Sequence, residues 1–198
     1  MEQEKQKTEE ELAAKIMEYA RDELMISMRF LDRALFRMPL VAADSVAAFG
    51  VDGATMYYNP EYVLHAFKRE KNACTRAFLH MILHCIFSHP FQYEKLDREC
   101  WDLATDLAVE QSILDLNLKC VELERDASLK RTLSHLAQKV PILTAEKSYR
   151  WLYENPEESA EFFREEPQFM WDDHLKWIPL KENEAGERRN DSITTDTR

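Results

Sequence analysis

Two histidines four residues apart carry the clearest chemistry in this chain. His80 and His84 lie in the apolar segment 77–89, which reads AFLHMILHCIFSH. On an α-helix this spacing places both imidazoles on one face, about one turn apart. Zinc binds histidine nitrogen at about 2.0–2.1 Å, and such a pair supplies two of its ligands. The spacing therefore predicts a metal site on a helix.

The residue after the first histidine decides whether that site could hydrolyse a bond. In the H-E-x-x-H pattern two histidines hold the metal and the glutamate acts as general base. Met81 stands at the glutamate position, and a thioether is only a weak acceptor. Proton transfer by a positioned group contributes typically about 10²–10⁴-fold to rate. We therefore expect hydrolysis to be lost, or to use another carboxylate such as Asp102 or Asp173.

A stripe of carboxylates offers the missing ligand. Asp102, Asp106 and Glu110 recur every four residues, so they share one helix face. Such a stripe usually faces solvent, but an inward-facing member would complete the metal site. We rank Asp106 first as the third ligand and Asp102 second, with Glu110, His174 and Asp173 after them.

A second polar group lies among aromatic residues near the end of the chain. Residues 169–177 read FMWDDHLKW, which leaves two interpretations open. His174 either joins the metal site or belongs to a turn that packs Trp171 and Trp177 onto the domain. The second interpretation is favoured.

The other histidines have simpler interpretations. His89 follows His80 by nine residues, about half a revolution around a regular helix. We interpret it as a helix-end residue, where the helix dipole favours a cation and Pro90 prevents continuation. His65 is expected at the surface.

The secondary-structure pattern is mainly helical. A helix is predicted over residues 9–37, capped by Thr8 and ended by Pro39. Strands are predicted over 46–51 and 54–58, joined by a tight Asp52-Gly53 turn. Asn59 and Pro60 begin the next helix. Further helices are predicted over residues 61–68, 72–88, 97–117, 127–139 and 145–154, with a short one after residue 156.

Composition limits the class of protein. The 198 residues contain only 3 Gly, and the formal net charge is −11. Few glycines favour an α+β, predominantly α domain, and the negative charge argues against nucleic-acid binding. No apolar run is long enough to span a membrane, and the charged N-terminus does not resemble a signal peptide. We expect a cytoplasmic protein with one domain over residues 1–180 and a disordered, charged tail or linker over 181–198.

Four segments taken together resemble one family. They are AAFGVDGATMYYNPEYV, FLHMILHCIFSH, WDLATDLAVE and WDDHLKW, in this order. The chain resembles the zincin-like metallopeptidase domain that precedes a VWA-like domain in bacterial proteins. The resemblance implies a zincin-like helical core with a small sheet or β-hairpin, a bound Zn²⁺ and ligands at His80, His84 and Asp106. It also implies a peptide or protein ligand, and association with a VWA-like domain and a MoxR-type AAA+ ATPase. The glutamate of the family motif is replaced here by Met81.

Three functional hypotheses follow from these observations. The first is a zinc-binding, metallopeptidase-like domain whose hydrolytic power is impaired. The second is an active metal-dependent hydrolase that uses another carboxylate as base. The third is a metal-free helical scaffold or interaction domain in which His80 and His84 are hydrogen-bonded core residues.

Overall fold

A computed structural model describes residues 2–92, 96–165, 171–172 and 174–177. Within this part of the chain the protein is predominantly α-helical with one small sheet. The helices are α1 (Glu2–Ser27), α2 (Asp32–Arg37), α3 (Pro60–Arg69), α4 (Ala73–Ile86), α5 (Arg98–Leu116), α6 (Asp126–Lys139), α7 (Ala145–Glu154) and α8 (Pro156–Glu165). The strands are β1 (Leu40–Ala42), β2 (Phe49–Val51) and β3 (Met56–Tyr58). The predicted α+β, predominantly α class is confirmed. No helix of the described residues has the length and apolarity that a membrane span requires.

Helix α4 lies in the middle of the larger hydrophobic core. Every residue from Ala73 to His84 is buried, and α1, α3, α5 and the sheet pack around it. A helix that is apolar nearly all round is stable only in such a position. Polar side chains on α4 must therefore find their partners inside the protein.

Helix α5 separates two hydrophobic cores. Val109 and Ile113 belong to the core around α4. Leu103 and Leu107 belong to a second core that α6, α7 and α8 complete. Because both sides are covered, the carboxylates of Asp106 and Glu110 are buried, and both face α4.

The sheet has three strands in the order β1-β3-β2. Strands β2 and β3 are antiparallel, with Gly50 opposite Tyr57, whereas β1 runs parallel to β3. The sequence pattern predicted β2 and β3 with longer bounds and did not predict β1. A three-residue strand that begins just after a proline carries too little pattern to be recognised.

The turn between β2 and β3 is longer than predicted. Asp52 Oδ1 accepts hydrogen bonds from the backbone N–H groups of Ala54 at 2.8 Å and Thr55 at 2.7 Å. These bonds form a four-residue connection in place of the expected two-residue turn. Gly53 has φ +90°, and a Cβ there would meet the ring of Phe91 at 2.5 Å. Glycine is therefore required at this position.

The first predicted helix is wrong in its start and its continuity. Helix α1 begins at Glu2, and the Thr8 hydroxyl donates to the backbone carbonyl of Glu4 at 2.8 Å, so Thr8 is not a cap. Strong helix formers before Thr8 allow this earlier start. The helix ends at Ser27, and Met28 has a non-helical backbone (φ −134°, ψ 62°) before α2.

The later helices agree closely with the sequence pattern. Asn59 caps α3 by accepting from the N–H of Tyr62, and Thr144 caps α7 by accepting from the N–H of Lys147. Asp97 caps α5 in the same way. The tail predicted for residues 181–198 lies outside the described part of the chain.

Candidate metal centre

Helices α4 and α5 form an antiparallel ladder of polar residues. Arg76, His80 and His84 are spaced by four on α4, and Asp106 and Glu110 are spaced by four on α5. Each spacing keeps the side chains on one face. Glu110 contacts Arg76 and His80, and Asp106 contacts His80 and His84. The two carboxylates are therefore inserted between the α4 side chains rather than exposed to solvent.

A third segment completes the cluster from the sheet side. Asp172 pairs with Phe49 of β2 through an isolated parallel bridge, and its neighbour Trp171 is buried in the main core. This pairing directs the Asp172 carboxylate to His80 Nε2 at 3.5 Å and His84 Nε2 at 4.0 Å.

Four side chains together could hold a metal ion. His80, His84, Asp106 and Asp172 each present one ligand atom, and these atoms lie within 4.8 Å of one another. Asp106 Oδ1 is 3.3 Å from His80 Nε2 and 3.2 Å from His84 Nε2. Ligands of a tetrahedral ion with bonds near 2.05 Å are about 3.3 Å apart. The His80–His84 Nε2 separation, 2.8 Å, is about 0.5 Å shorter than this, and the separation of Asp172 Oδ1 from His84 Nε2, 4.0 Å, is longer. The donor set and its spacing fit a metal ion.

The cluster needs positive charge. Asp172 is 4% exposed, yet neither of its oxygens accepts a hydrogen bond from the described residues. Burial raises the pKa of Asp106, but the neighbouring His174, His80 and His84 outweigh it and hold this pKa well below its usual range. The pKa of Asp172 is also lowered, because His174 and His84 outweigh its burial. Both carboxylates therefore favour their anionic form at a buried position.

The Nδ1 atoms of His80 and His84 contact residues outside this group of four side chains. His80 Nδ1 lies 2.8 Å from Glu110 Oε1, and His84 Nδ1 lies 3.0 Å from His89 Nδ1. Burial lowers the pKa of His80, but hydrogen bonds to Asp106 and Glu110 raise it to about 9 overall. Burial dominates at His84 and lowers its pKa. In the metal-free protein a proton on His80 thus supplies part of the positive charge.

His89 follows the end of α4, as predicted, but it is a buried, neutral residue and not the expected helix-end cation. Helix α4 ends at Ile86, and Ser88 adopts a left-handed conformation with φ 63°. This turn breaks the regular helix and brings His89 back against His84. Burial and the neighbouring His84 lower the pKa of His89 to about 3, so it is neutral. The extrapolation of a regular helix failed because Pro90 indicates that the helix ends but does not indicate the left-handed turn at Ser88.

His174 faces the carboxylates from the other side. Its Nε2 is 3.2 Å from Asp106 Oδ1 and 3.2 Å from Asp172 Oδ1, and its Nδ1 is 3.1 Å from Asp102 Oδ1. Its ring stacks on Trp177 with centroids 3.9 Å apart. Trp171 and Trp177 are also buried. The aromatic residues of this segment therefore pack onto the domain, and His174 contacts Asp106 and Asp172, although it is not one of the four side chains that could hold a metal ion.

The remaining predicted residues have distinct positions. Met81 is 0% exposed and belongs to the main hydrophobic core. Asp102 is partly exposed and contacts His174 and Arg98. His65 is exposed, as expected, beside Glu61. Asp173 lies outside the described residues.

Sequence reasoning missed Asp172 and considered Glu110 only as a possible metal ligand. Asp172 was passed over in favour of its neighbour Asp173, since the sequence does not show which one turns inward. The pattern at Glu110 did carry a signal, because Arg76 and His80 lie four apart on one face of an otherwise apolar helix.

Comparison with known proteins supports the family and gives little beyond it. No curated protein and no solved structure matches the chain significantly. The sequence model of one family, described as "Putative metallopeptidase domain", matches residues 13–197. That match covers α4, α5 and the segment that carries Asp172 and His174, which are the parts that build the centre. The chain belongs to this metallopeptidase-domain family.

Proposed function

We propose that this domain binds one divalent metal ion, zinc, through His80, His84, Asp106 and Asp172, and that its peptidase activity is impaired. The observation that carries the proposal is the convergence of two imidazoles and two carboxylates within 4.8 Å at a fully buried position. Imidazole with carboxylate suits zinc, although the same donors also accept other divalent transition metals.

The number of donors favours a structural or ligand-binding role. Structural zinc sites have four protein ligands, whereas catalytic sites have three and an open position. Here four protein donors converge, and none is more than 4% exposed. These residues would tie α4, α5 and the Asp172 segment together around the ion.

The chain's own residues do not supply the family's general base. A bound zinc ion would act as a Lewis acid and lower the pKa of a bound water to about 7. Met81 cannot take a proton, and it is packed in the hydrophobic core. A glutamate introduced at this position would itself be buried among apolar side chains and disfavoured in its charged form.

A second candidate function, an active hydrolase, is favoured by one observation. Asp102 holds His174 Nδ1 at 3.1 Å while His174 Nε2 faces Asp106 and Asp172. A carboxylate that orients a histidine is a common arrangement for proton transfer. In this case His174, oriented by Asp102, would act as the general base in place of the missing glutamate.

The test of metal binding is elemental mass spectrometry on untagged protein purified without chelator. We expect close to one zinc per chain in the parent and loss of zinc in the His80→Ala/His84→Ala double variant. The exposed His65→Ala and His135→Ala variants control for nonspecific binding by histidine. A parent protein that contains no metal and does not bind added zinc would support the scaffold hypothesis and contradict the proposal.

Peptidase assays then separate the first two hypotheses. We expect the zinc-loaded parent to cleave denatured protein substrates no faster than the double variant does. Cleavage that requires zinc and is lost in His174→Gln would overturn the impaired form and establish the hydrolase.

The family resemblance also supports a peptide or protein ligand and a link to a VWA-like domain and a MoxR-type AAA+ ATPase.

A further inference from the structure

We propose that Glu110 and Arg76 are positioning residues for the metal, which hold His80 with its proton on Nδ1 and its Nε2 directed at the ion. The inference rests on the metal site proposed above and adds residues that lie outside it. It follows from a continuous set of contacts that runs from His80 to the start of α6.

The first step is the contact between Glu110 and His80. Glu110 Oε1 is 2.8 Å from His80 Nδ1, and both side chains are 0% exposed. A buried carboxylate oxygen at this distance accepts a hydrogen bond, so the imidazole proton is held on Nδ1. A neutral imidazole with its proton on Nδ1 presents the Nε2 lone pair. That atom faces Asp106 Oδ1 at 3.3 Å.

The second step is the guanidinium that holds the carboxylate. Arg76 binds Glu110 with two donors: Nη2 to Oε2, and Nε to Oε1 at 3.4 Å. This paired geometry fixes the plane of the carboxylate as well as its position. Oε1 is therefore held between Arg76 Nε and His80 Nδ1 and aimed at His80.

The third step is the anchoring of Arg76 itself. Its Nη1 donates to the backbone carbonyl of Val121 at 3.1 Å and lies 3.6 Å from Asp126 Oδ1. Asp126 Oδ2 in turn accepts from the backbone N–H of Leu123 at 3.0 Å. The guanidinium is thus fixed from both sides and cannot swing away from Glu110.

The arrangement is directional, which an ion pair kept for stability alone need not be. A buried ion pair often contributes no more than well-packed apolar residues of the same volume. Here Arg76 precedes His80 by one helical turn, so both side chains reach the same carboxylate from one face of α4. Partners that orient metal-bound histidines usually change metal affinity by about 10–100-fold when removed.

The test compares three variants by zinc affinity and by the visible absorption spectrum of the cobalt-substituted protein. Arg76→Met/Glu110→Leu removes both charges together, so neither is left buried without its partner. Glu110→Gln keeps an oxygen that can accept from Nδ1. Asp115→Asn is the matched control, since it neutralises an exposed carboxylate on α5 that lies outside this set of contacts. Circular dichroism in chelator shows whether each variant folds.

We expect the double variant to bind zinc about 10–100-fold more weakly and to give a changed cobalt spectrum. Glu110→Gln should recover much of the affinity, and Asp115→Asn should resemble the parent. A folded double variant with parental affinity and spectrum would overturn the inference while leaving the metal site intact. A parent that binds neither metal would contradict the proposed function instead.

One measurement needs no variant for its readout and covers the case in which the double variant does not fold. Long-range proton–nitrogen NMR on the zinc-loaded parent reports which nitrogen of His80 carries the proton, after assignment with His80→Gln. We expect the proton on Nδ1 and the metal on Nε2. The opposite arrangement would overturn the inference.

Discussion

At the scale of single residues, the proposed metal site requires His80 to exchange a proton for the ion. In the metal-free protein its pKa is about 9 because Asp106 and Glu110 outweigh its burial. It is therefore protonated at neutral pH, and a proton on Nε2 occupies the position that we assign to the ion. Metal must displace this proton. We therefore expect metal affinity to increase as the pH rises toward about 9 and to decrease as the pH is lowered from that value.

Proton release can be measured directly. We expect zinc binding at pH 7.5 to release about one proton or more per ion, because His80 must lose its proton. Calorimetric titrations in buffers of different ionisation enthalpy give this number. Binding that releases no proton would show that His80 is already neutral or is not a ligand.

Asp172 provides a second test at the scale of one residue. Asp172→Asn keeps the shape of the side chain but removes its negative charge. Neither oxygen of the Asp172 carboxylate accepts a hydrogen bond from the described residues. We expect zinc affinity to fall by about tenfold or more, at least as much as loss of an outer partner. The matched control is Asp115→Asn, an exposed carboxylate on α5. Equal affinity in the two variants would exclude Asp172 as a ligand.

Part of the candidate centre could be predicted residue by residue. The spacing of His80 and His84 suggested that they share a face, and the inward turn of Asp106 was one of two open alternatives. Asp172 could not be chosen over Asp173, because that choice depends on the pairing of Asp172 with Phe49, a contact between distant parts of the chain.

At the scale of elements, the end of α4 determines where His89 lies. Ser88 is exposed and has φ 63° and ψ 24°, a region that disfavours residues with a Cβ by about 1–2 kcal/mol. The turn redirects the chain by this one backbone conformation. Periodicity predicted both helices of the centre but could not predict this break, which explains why His89 was misplaced.

Substitution at Ser88 tests the turn. We expect Ser88→Val to be less stable than Ser88→Gly by about 1–2 kcal/mol, because a β-branched residue resists a positive φ. Urea denaturation in chelator measures the difference without a contribution from metal. If the two variants are equally stable, the left-handed turn is not required. Because Ser88 is exposed, a difference in stability between the two variants would reflect the backbone conformation and not side-chain packing.

On the scale of the whole molecule, the proposed centre joins parts that are far apart in sequence. Helix α4 lies in the main core, to which α5 contributes Val109 and Ile113, and Trp177, beside His174, packs with other residues of α5 and with Ala145 of α7. The general class was predictable, since composition and helical periodicity both indicated an α-rich domain. Strand β1 and the burial of α5 between two cores were not, because they arise from tertiary packing.

Removal of metal should therefore affect the stability of the entire domain. An ion that binds only the folded state stabilises it by about 2.7 kcal/mol at a free concentration one hundred times its Kd. We expect chelation to lower the melting temperature of the parent and to leave His84→Ala unchanged. Calorimetry with and without chelator measures both shifts. An equal shift in parent and variant would place the stabilising ion elsewhere.

The most direct test of the proposed centre is anomalous X-ray scattering from crystals of the zinc-loaded protein, recorded on both sides of the zinc absorption edge. We predict one strong peak among His80 Nε2, His84 Nε2, Asp106 and Asp172, about 2.0–2.2 Å from each donor. His80 Nδ1 would remain hydrogen-bonded to Glu110. A peak bound to other residues, or no peak in crystals grown with excess zinc, would contradict the metal centre.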